Sequence, residues 1–175
     1  MLINEKSKKE PIASTEDVRN YWKKENIPQQ WYTSKEPLSL AYFNDIAKER
    51  YEKYYPYLKE KAEFQYHAYE SVLEIGVGLG TDLIQFAINK SLVYGIDLGK
   101  DQVEITKQHF IKKNCEFEDL RVASAENIPY ENNKFDLVYS FGVLHHTPNT
   151  EKAVDEIYRV LKKDGEAIIM LYAKG

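Results

Sequence analysis

Three glycines at alternate positions follow a short apolar run in the segment Val72-Leu73-Glu74-Ile75-Gly76-Val77-Gly78-Leu79-Gly80. Glycine permits the positive φ angles of a tight turn and, having no Cβ, lets the backbone approach a ligand closely. A helical pattern follows, and free N–H groups at a helix start favour a polar or anionic ligand group. The spacing is neither the dinucleotide GxGxxG nor a phosphate-binding GK[ST] loop. A tight turn without a ligand is the alternative interpretation of the glycines alone.

A carboxylate, Asp97, ends the next apolar run, 17 residues after Gly80. This spacing is close to the roughly 20 residues expected for an acidic side chain that binds the two hydroxyls of a ribose. Because the carboxyl ends of neighbouring parallel strands open onto one crevice, we expect Asp97 to face the glycine segment. Capping of the following helix is the competing role for an aspartate here. Together with the glycines, Asp97 favours a nucleoside-binding site.

The elements that must position these residues alternate between apolar runs and helical patterns. Apolar, β-branched runs predict strands at residues 71–75, 92–96, 120–124, 135–141 and 165–171. Helical periodicity predicts helices at residues 81–89, 100–113 and 150–161. Such alternation is typical of βαβ units. The sequence therefore predicts an α/β fold with a doubly wound, mainly parallel sheet.

The first 70 residues are polar, helical in pattern and rich in Tyr, Lys and Glu. We predict an N-terminal helical cap over residues 1–70 that covers the substrate site, and a core domain over residues 71–175. Ser39 is expected to start a helix in this cap. Tyr32 and Arg50 are the cap residues that we expect to contact the site. The competing interpretation is that most of the cap's aromatic side chains only pack against the sheet.

Helical spacing also predicts which side chains of the helices are buried. In the helix after Ser39 these are Leu40, Phe43, Ala47 and Tyr54. In the two later helices they are Val103, Phe110 and Ile111, and then Val154, Ile157 and Leu161.

Composition and charge exclude several classes of protein. A chain of 175 residues, 43% hydrophobic and 30% charged, suits one ordinary globular domain. The net charge of −4 weighs against sequence-independent binding of nucleic acid, which needs a basic surface. The single cysteine, Cys115, cannot form an internal disulfide. With neither a signal sequence nor an apolar stretch of about 20 residues, we expect a cytoplasmic protein without a membrane span.

Five segments, in order, resemble the successive motifs of class I S-adenosylmethionine-dependent methyltransferases. They are VLEIGVGLGTD, YGIDLG, ASAENIPY, FDLVYSFGVLHHTPN and EIYRVLKKDGEAIIM, and they extend over about residues 71–170. The resemblance is closest to the broad group that modifies small molecules, which includes quinone-biosynthesis and sterol-type enzymes. It implies a Rossmann-like methyltransferase fold, S-adenosyl-L-methionine as cofactor and S-adenosyl-L-homocysteine as product. It also implies direct in-line methyl transfer to a small-molecule acceptor.

The resemblance assigns cofactor contacts to residues near the ends of the predicted strands. The loop that holds the methionine and ribose parts corresponds to Glu74, Gly76, Gly78 and Gly80, with Asp97 on the ribose hydroxyls. The residues that meet adenine correspond to Leu98, Ser124, Ala125 and Glu126, and those beside the sulfonium to Ser140, Phe141 and Gly142. Many relatives have aspartate where Ser124 stands, so we expect weaker adenine contacts here.

Two adjacent histidines, His145 and His146, follow the fourth predicted strand on the ligand-binding side of the sheet. Histidine titrates near neutral pH, which makes them the candidate catalytic residues. A general base is needed only for an acceptor with a poorly acidic O–H or C–H group. Ordering of the loop by hydrogen bonds is the alternative role. We expect no metal site, because His67 and His109 lie far away in sequence and no Cys or Asp cluster accompanies the pair.

The predicted fifth strand lies close to the last residue, Gly175. Class I methyltransferases carry two further strands there, so we expect strands six and seven to be missing. Residues 166–172 would then form an exposed apolar edge that invites pairing with another chain, for example in a homodimer. A non-catalytic cofactor-binding or interaction module completed by a partner chain is the alternative to an active enzyme. A protein acceptor is the alternative to a small molecule.

Overall fold

The structure is a computed structural model that describes residues 14–24 and 35–172. Its strands are β1 (Ser71–Ile75), β2 (Leu92–Asp97), β3 (Asp119–Val122), β4 (Phe135–Phe141) and β5 (Leu161–Met170). Its α-helices are α1 (Thr15–Lys24), α2 (Leu40–Lys48), α3 (Leu58–Lys61), α4 (Thr81–Ile88), α5 (Lys100–Lys113) and α6 (Thr150–Val160). A π-helix (Glu49–Tyr54) continues α2, and 3₁₀ turns lie at Phe64–Tyr66 and Leu144–His146.

In the described part of the chain, the five strands form one parallel sheet in the order β3-β2-β1-β4-β5. The strand β1 lies at the centre, where Glu74 is in register with Gly95 of β2 and Tyr139 of β4. The order reverses between β1 and β4, and ligands bind at such a switch point in open α/β sheets. The predicted Rossmann-like sheet is therefore confirmed. Two strands start earlier than expected, since β3 begins at Asp119 and β5 at Leu161.

Alternate side chains of the central strands enter two separate hydrophobic clusters, as the two-residue period of a strand requires. Val72 and Leu137 face the first cluster, which includes side chains of α4 and α5 and of the segment before β1. Leu73 and Val138 face the second cluster, which is covered by α6. Helices therefore pack on both faces, and both faces of the central strands are buried.

The segment before β1 shares the core of the sheet domain. Phe64 packs edge-on against Phe86 of α4, with ring centroids 4.8 Å apart. Phe43 of α2 stacks on His109 of α5 at a centroid distance of 3.9 Å. Ser39 starts α2 as expected, because its hydroxyl accepts a hydrogen bond from the Tyr42 N–H at 3.1 Å. A division of the chain at residue 70 stays a prediction.

A π-helical turn changes which side chains of the second helix are buried. The Tyr55 N–H donates to the Arg50 carbonyl, five residues earlier, at 2.8 Å. This wider turn shifts the register by one residue, so Tyr51 is buried and Tyr54 is exposed. The prediction for Tyr54 was therefore wrong, since it assumed uninterrupted α-helical spacing.

Three other expected core positions are exposed, namely Leu40, Ile111 and Val154. In each helix the buried face differs from the apolar pattern, and in α5 it includes the polar side chains of Gln102, Thr106 and His109. In α6, for example, Ala153, Ile157 and Val160 are buried, and Val154 lies outside that stripe.

One edge of the sheet is β5, on which Ile169 is exposed, and exposed Leu171 follows it. Homodimerisation through this edge stays a prediction. Among the residues that the structure describes, no helix combines the length and apolar character needed to cross a bilayer.

Candidate functional site

A cleft lies at the carboxyl ends of β1 and β4, below the π-helix. Its walls come from both halves of the chain. The π-helix side contributes Ile46, Arg50, Tyr54 and Tyr55, and the sheet side contributes Glu74, Gly76, Val77, Gly78, Leu79, Thr81, Asp82 and Phe141. The cleft therefore brings together Arg50, Glu74, Gly76, Gly78 and Phe141 of the residues predicted from the sequence.

The turn from β1 to α4 needs glycine for two separate reasons. Gly76 has φ +82°, and a Cβ there would stand 2.3 Å from Cγ2 of Val143. Gly80 has φ +74°, and its Cβ would stand 2.8 Å from Cγ2 of Thr106. Positive φ is costly for any residue with a side chain, and the lack of space adds a clash. The glycine spacing therefore specifies a tight turn that exposes backbone to the cleft.

Asp97 holds this turn from the neighbouring strand. Its carboxylate accepts hydrogen bonds from the Gly78 N–H at 3.0 Å and from the Gly99 N–H at 2.9 Å. Burial raises the pKa of Asp97, and these backbone bonds oppose the rise. Asp97 does not line the cleft itself, but it ties the glycine turn to the start of α5. Its position beside Gly78 agrees with a crevice shared by β1 and β2.

Glu74 carries a buried oxygen without a partner. The residue is only 4% exposed, and its Oε2 atom forms no hydrogen bond with the residues that the structure describes. Burial, reinforced by the nearby Asp82 carboxylate, raises the pKa of Glu74 well above its usual value, and Arg50 opposes the shift. A buried carboxylate oxygen without a donor is costly. In a residue that lines a cleft, it points to a ligand that supplies the donor.

Arg50 is held by Asp82, a residue that the sequence analysis did not single out. The guanidinium donates from Nε to Asp82 Oδ1 at 2.7 Å and from Nη2 to Oδ2. Two tyrosine hydroxyls complete the hydrogen bonding of the Asp82 carboxylate, since Tyr51 donates to Oδ1 at 2.7 Å and Tyr139 donates to Oδ2 at 2.8 Å. Burial alone would lower the pKa of Arg50, but the Asp82 charge more than offsets this and raises it. The only sequence signal was an acidic residue in the first turn of α4.

Phe141, at the end of β4, joins the cleft to an aromatic cluster. The Arg50 guanidinium lies 4.6 Å from the Phe141 ring centroid, and Tyr55 meets the same ring edge-on at 4.8 Å. The Tyr55 hydroxyl is 3.3 Å from that of Tyr172. Ser140 is turned away, because its hydroxyl donates to the Ile75 carbonyl within the sheet. Of the three residues predicted beside the sulfonium, Phe141 lines the cleft, Ser140 stabilises the strand pair, and Gly142 does not line the cleft.

The predicted histidines adjoin this aromatic cluster outside the cleft. Their rings lie 3.9 Å apart, and His145 is 4.8 Å from Tyr172. Both ring nitrogens of His145 are shielded from solvent and have no hydrogen-bond partner among the described residues. Burial lowers the pKa of both histidines. The adjacent turn is ordered by Thr147, whose hydroxyl donates to the Leu144 carbonyl at 2.7 Å, rather than by His145.

The residues predicted to meet adenine lie beyond the cleft. The Ser124 hydroxyl accepts a hydrogen bond from the Glu126 N–H, and the Glu126 carboxylate accepts one from the Asn149 N–H at 2.9 Å. Ala125 is buried in the second hydrophobic cluster. The Leu98 carbonyl accepts a hydrogen bond from Arg19 of α1 at 3.3 Å. Tyr32 lies outside the described residues, and within them no group of His, Cys, Asp or Glu side chains is suited to hold a metal ion.

His109 supports the glycine turn from α5. Its Nδ1 donates to the Leu79 carbonyl at 2.8 Å, and burial lowers its pKa to about 4. Because an unfolded histidine titrates near 6.5, this neutral imidazole contributes stability above that pH and loses it as the pH falls towards 4.

We expect wild type to lose about 2 kcal/mol of unfolding free energy through His109 between pH 7 and pH 5. In a His109→Gln variant, whose amide can still donate to Leu79, this part of the pH dependence should disappear. Urea unfolding of both proteins at several pH values measures the difference. Parallel pH profiles would show that His109 is not the titrating group.

Comparison with known proteins identifies the family to which the chain belongs. The family model described as a methyltransferase domain matches residues 73–169, more than half of the chain. Phosphoethanolamine N-methyltransferase 2 of Caenorhabditis elegans is 33% identical over 107 residues, covering 61% of this chain and 24% of that protein. Sterol 4-C-methyltransferase strm-1 of the same organism is 28% identical over 117 residues, covering 65% and 34%.

A solved structure shows the same fold. The YcgJ protein of Bacillus subtilis superimposes with a TM-score of 0.57 and 30% identity, covering 61% of this chain and 45% of YcgJ. In all three comparisons, the matched region spans less than half of the related protein. The strand order of the parallel sheet agrees with the family match. The chain therefore belongs to the class I S-adenosylmethionine-dependent methyltransferases.

Proposed function

We propose that the cleft binds S-adenosyl-L-methionine and that the protein transfers its methyl group to a small-molecule acceptor. The observation that carries this proposal is a pair of complementary groups in the cleft, an acceptor oxygen and a cation. Glu74 offers a buried acceptor oxygen without a donor, and Arg50 offers a fixed cation. This pair complements the ammonium and carboxylate of an amino-acid group, such as the methionine end of the cofactor. Charge-assisted hydrogen bonds of this type are the strong ones in proteins.

The remaining cofactor contacts are proposed from the positions of the residues around the cleft. Gly76 and Gly78 present backbone along the floor of the cleft, and Asp97 lies behind them. A shift of the glycine turn would bring the Asp97 carboxylate to the ribose hydroxyls. Adenine would extend from Leu98 towards Ser124, Ala125 and Glu126. Phe141 offers a ring face to the positive sulfonium, as in other cation–π contacts. When bound, the sulfonium supplies an activated methyl group.

The residues of this chain would accelerate the transfer by positioning and by exclusion of water. An in-line displacement needs the acceptor held at near-attack distance, and positioning alone can supply much of the acceleration. Tyr55 and Tyr172 extend the aromatic surface from Phe141 to His145, on the side where an acceptor would enter. Both ring nitrogens of His145 are shielded in the described structure, so an acceptor hydroxyl would reach one of them only after the neighbouring Tyr172 side chain moves aside, and the neutral imidazole could then accept its proton. We propose His145 as the base and His146 as its packing neighbour.

A small molecule is the proposed acceptor because the relatives named above methylate phosphoethanolamine and a sterol, according to their names. The net charge of −4 also disfavours a nucleic-acid acceptor. We further propose that the protein acts in the cytoplasm.

Calorimetric titration with S-adenosylhomocysteine tests the cofactor site. We expect saturable binding to wild type and a loss of about 1–3 kcal/mol of binding free energy in Asp97→Ala, since a charged partner of the turn and of the ribose is removed. Asp155→Ala, an exposed change on α6, is the matched control and should bind as wild type does. A folded wild-type chain that shows no saturable binding would contradict the proposed function.

A further inference from the structure

The Asp82 carboxylate is the most fully bonded acidic group beside the cleft. Asp82 is 3% exposed and lies in the first turn of α4. A carboxylate has about four lone-pair sites. Here Nε and Nη2 of Arg50 and the hydroxyls of Tyr51 and Tyr139 supply four donors. Asp82 therefore has no lone pair left to accept a hydrogen bond from a ligand. It can act on a ligand only through the groups that it holds.

The group held most firmly is the Arg50 guanidinium. Two of its three nitrogens are bonded to Asp82, and its Cζ atom lies 4.6 Å from the ring centroid of Phe141 and 5.3 Å from that of Tyr55. The third nitrogen, Nη1, has no hydrogen bond with the residues that the structure describes. The π-helical turn contributes to this geometry, because it places Arg50 and Tyr51 together on the same carboxylate. Arg50 therefore presents one preorganised donor edge to the cleft.

The bonds between Arg50 and Asp82 also affect Glu74, which lines the same cleft. It lies close enough to Arg50 for the guanidinium charge to oppose the rise in the Glu74 pKa, and its Oε2 atom has no partner. Without Asp82, this oxygen would be an available acceptor for the Arg50 guanidinium. Pairing of Arg50 with Glu74 would occupy the donor and the acceptor that an amino-acid ligand needs. Asp82 keeps the two groups apart by occupying Arg50.

We propose that Asp82, with the hydroxyls of Tyr51 and Tyr139, is a positioning residue that holds Arg50 Nη1 ready for the carboxylate of the cofactor's amino-acid end. The proposal rests on the proposed cofactor site and adds a specificity mechanism to it. Asp82 determines how strongly the protein prefers ligands that carry the amino-acid group over nucleosides that lack it. A purely structural role is the competing explanation, since Asp82 also ties the π-helix to α4.

Two ligands separate these explanations. S-adenosylhomocysteine carries the amino-acid group, and 5′-methylthioadenosine shares its thioether nucleoside but lacks that group. In Asp82→Asn we expect affinity for S-adenosylhomocysteine to fall about 10- to 100-fold, the range for lost hydrogen bonds to a charged group. Affinity for 5′-methylthioadenosine should change less than about threefold. Calorimetry with the full chain measures both.

Further variants keep the test decisive if Asp82→Asn does not fold. Tyr139→Phe removes one donor to Asp82. It should reduce the preference for S-adenosylhomocysteine over 5′-methylthioadenosine by a smaller factor than Asp82→Asn does. Arg50→Lys keeps the positive charge but loses the planar set of guanidinium donors, and it should selectively weaken the binding of S-adenosylhomocysteine. Asp155→Asn is the matched surface control. Equal weakening of both ligands, or an unchanged preference, overturns the positioning role while wild-type binding still supports the cofactor site. Failure of wild type to bind either ligand overturns both proposals.

Discussion

Replacing Gly76 with alanine should lower the free energy of unfolding by about 2–5 kcal/mol and abolish measurable binding of S-adenosylhomocysteine. Two costs add. An alanine at φ +82° costs about 1–2 kcal/mol, and the new Cβ would stand 2.3 Å from Cγ2 of Val143. Overpacking of a full site costs typically about 1–3 kcal/mol. Because Gly76 also lines the cleft, any shift that relieves the clash displaces the proposed binding surface.

Two further variants separate the strain from the clash. Gly142 has a similar φ of +73°, but its Cβ would meet nothing closer than 3.5 Å. Gly142→Ala should therefore show only the conformational cost of about 1–2 kcal/mol. In Gly76→Ala/Val143→Ala the clash is relieved, so we expect part of the stability to return. Chemical denaturation and calorimetry of the set measure both effects. Equal losses in Gly76→Ala and Gly142→Ala would show that Val143 does not limit the turn.

Replacing His145 with glutamine should lower kcat about 10²- to 10⁴-fold for an acceptor that reacts through a hydroxyl, the usual range for loss of a general base. The base is active when neutral. Since burial lowers the pKa of His145, wild-type kcat should fall as the pH drops below 6.5, and in His145→Gln this fall of kcat at acidic pH should be absent. Stability should change little, because the imidazole nitrogens form no hydrogen bonds in the described structure.

The matched control is His146→Gln, the neighbouring ring 3.9 Å away. It should retain most of the activity and the pH dependence, and both variants should bind S-adenosylhomocysteine as wild type does. A panel of phenols, alcohols and amines supplies the acceptors. If the two variants lose activity equally, or if kcat of His145→Gln still falls at acidic pH, His145 is not the base. If the protein methylates only amines, the reaction does not need a general base, and the role of His145 as base is also contradicted.

Much of the core domain followed from local patterns. The run from Phe135 to Phe141 is apolar nearly throughout, and it is the strand β4 with the expected bounds. The glycines required a turn that other residues cannot form, and the structure places Gly76, Gly78 and Gly80 at positive φ. Strand period, glycine spacing and the hydroxyl that starts α2 are encoded within a few residues, so the sequence alone predicts them.

The tertiary structure decided which side chains meet in the cleft. Arg50 and Asp82 are 32 residues apart, and Tyr139 lies a further 57 residues along the chain. No local period links them, and the π-helical turn that aligns Arg50 with Tyr51 breaks the period that was assumed. The same holds for His145, whose unpartnered nitrogens depend on the packing of Tyr172 and His146 around it. Local spacing determined the fold and the glycine turn. The charges of the cleft were determined by burial and long-range pairing, which only the folded chain specifies.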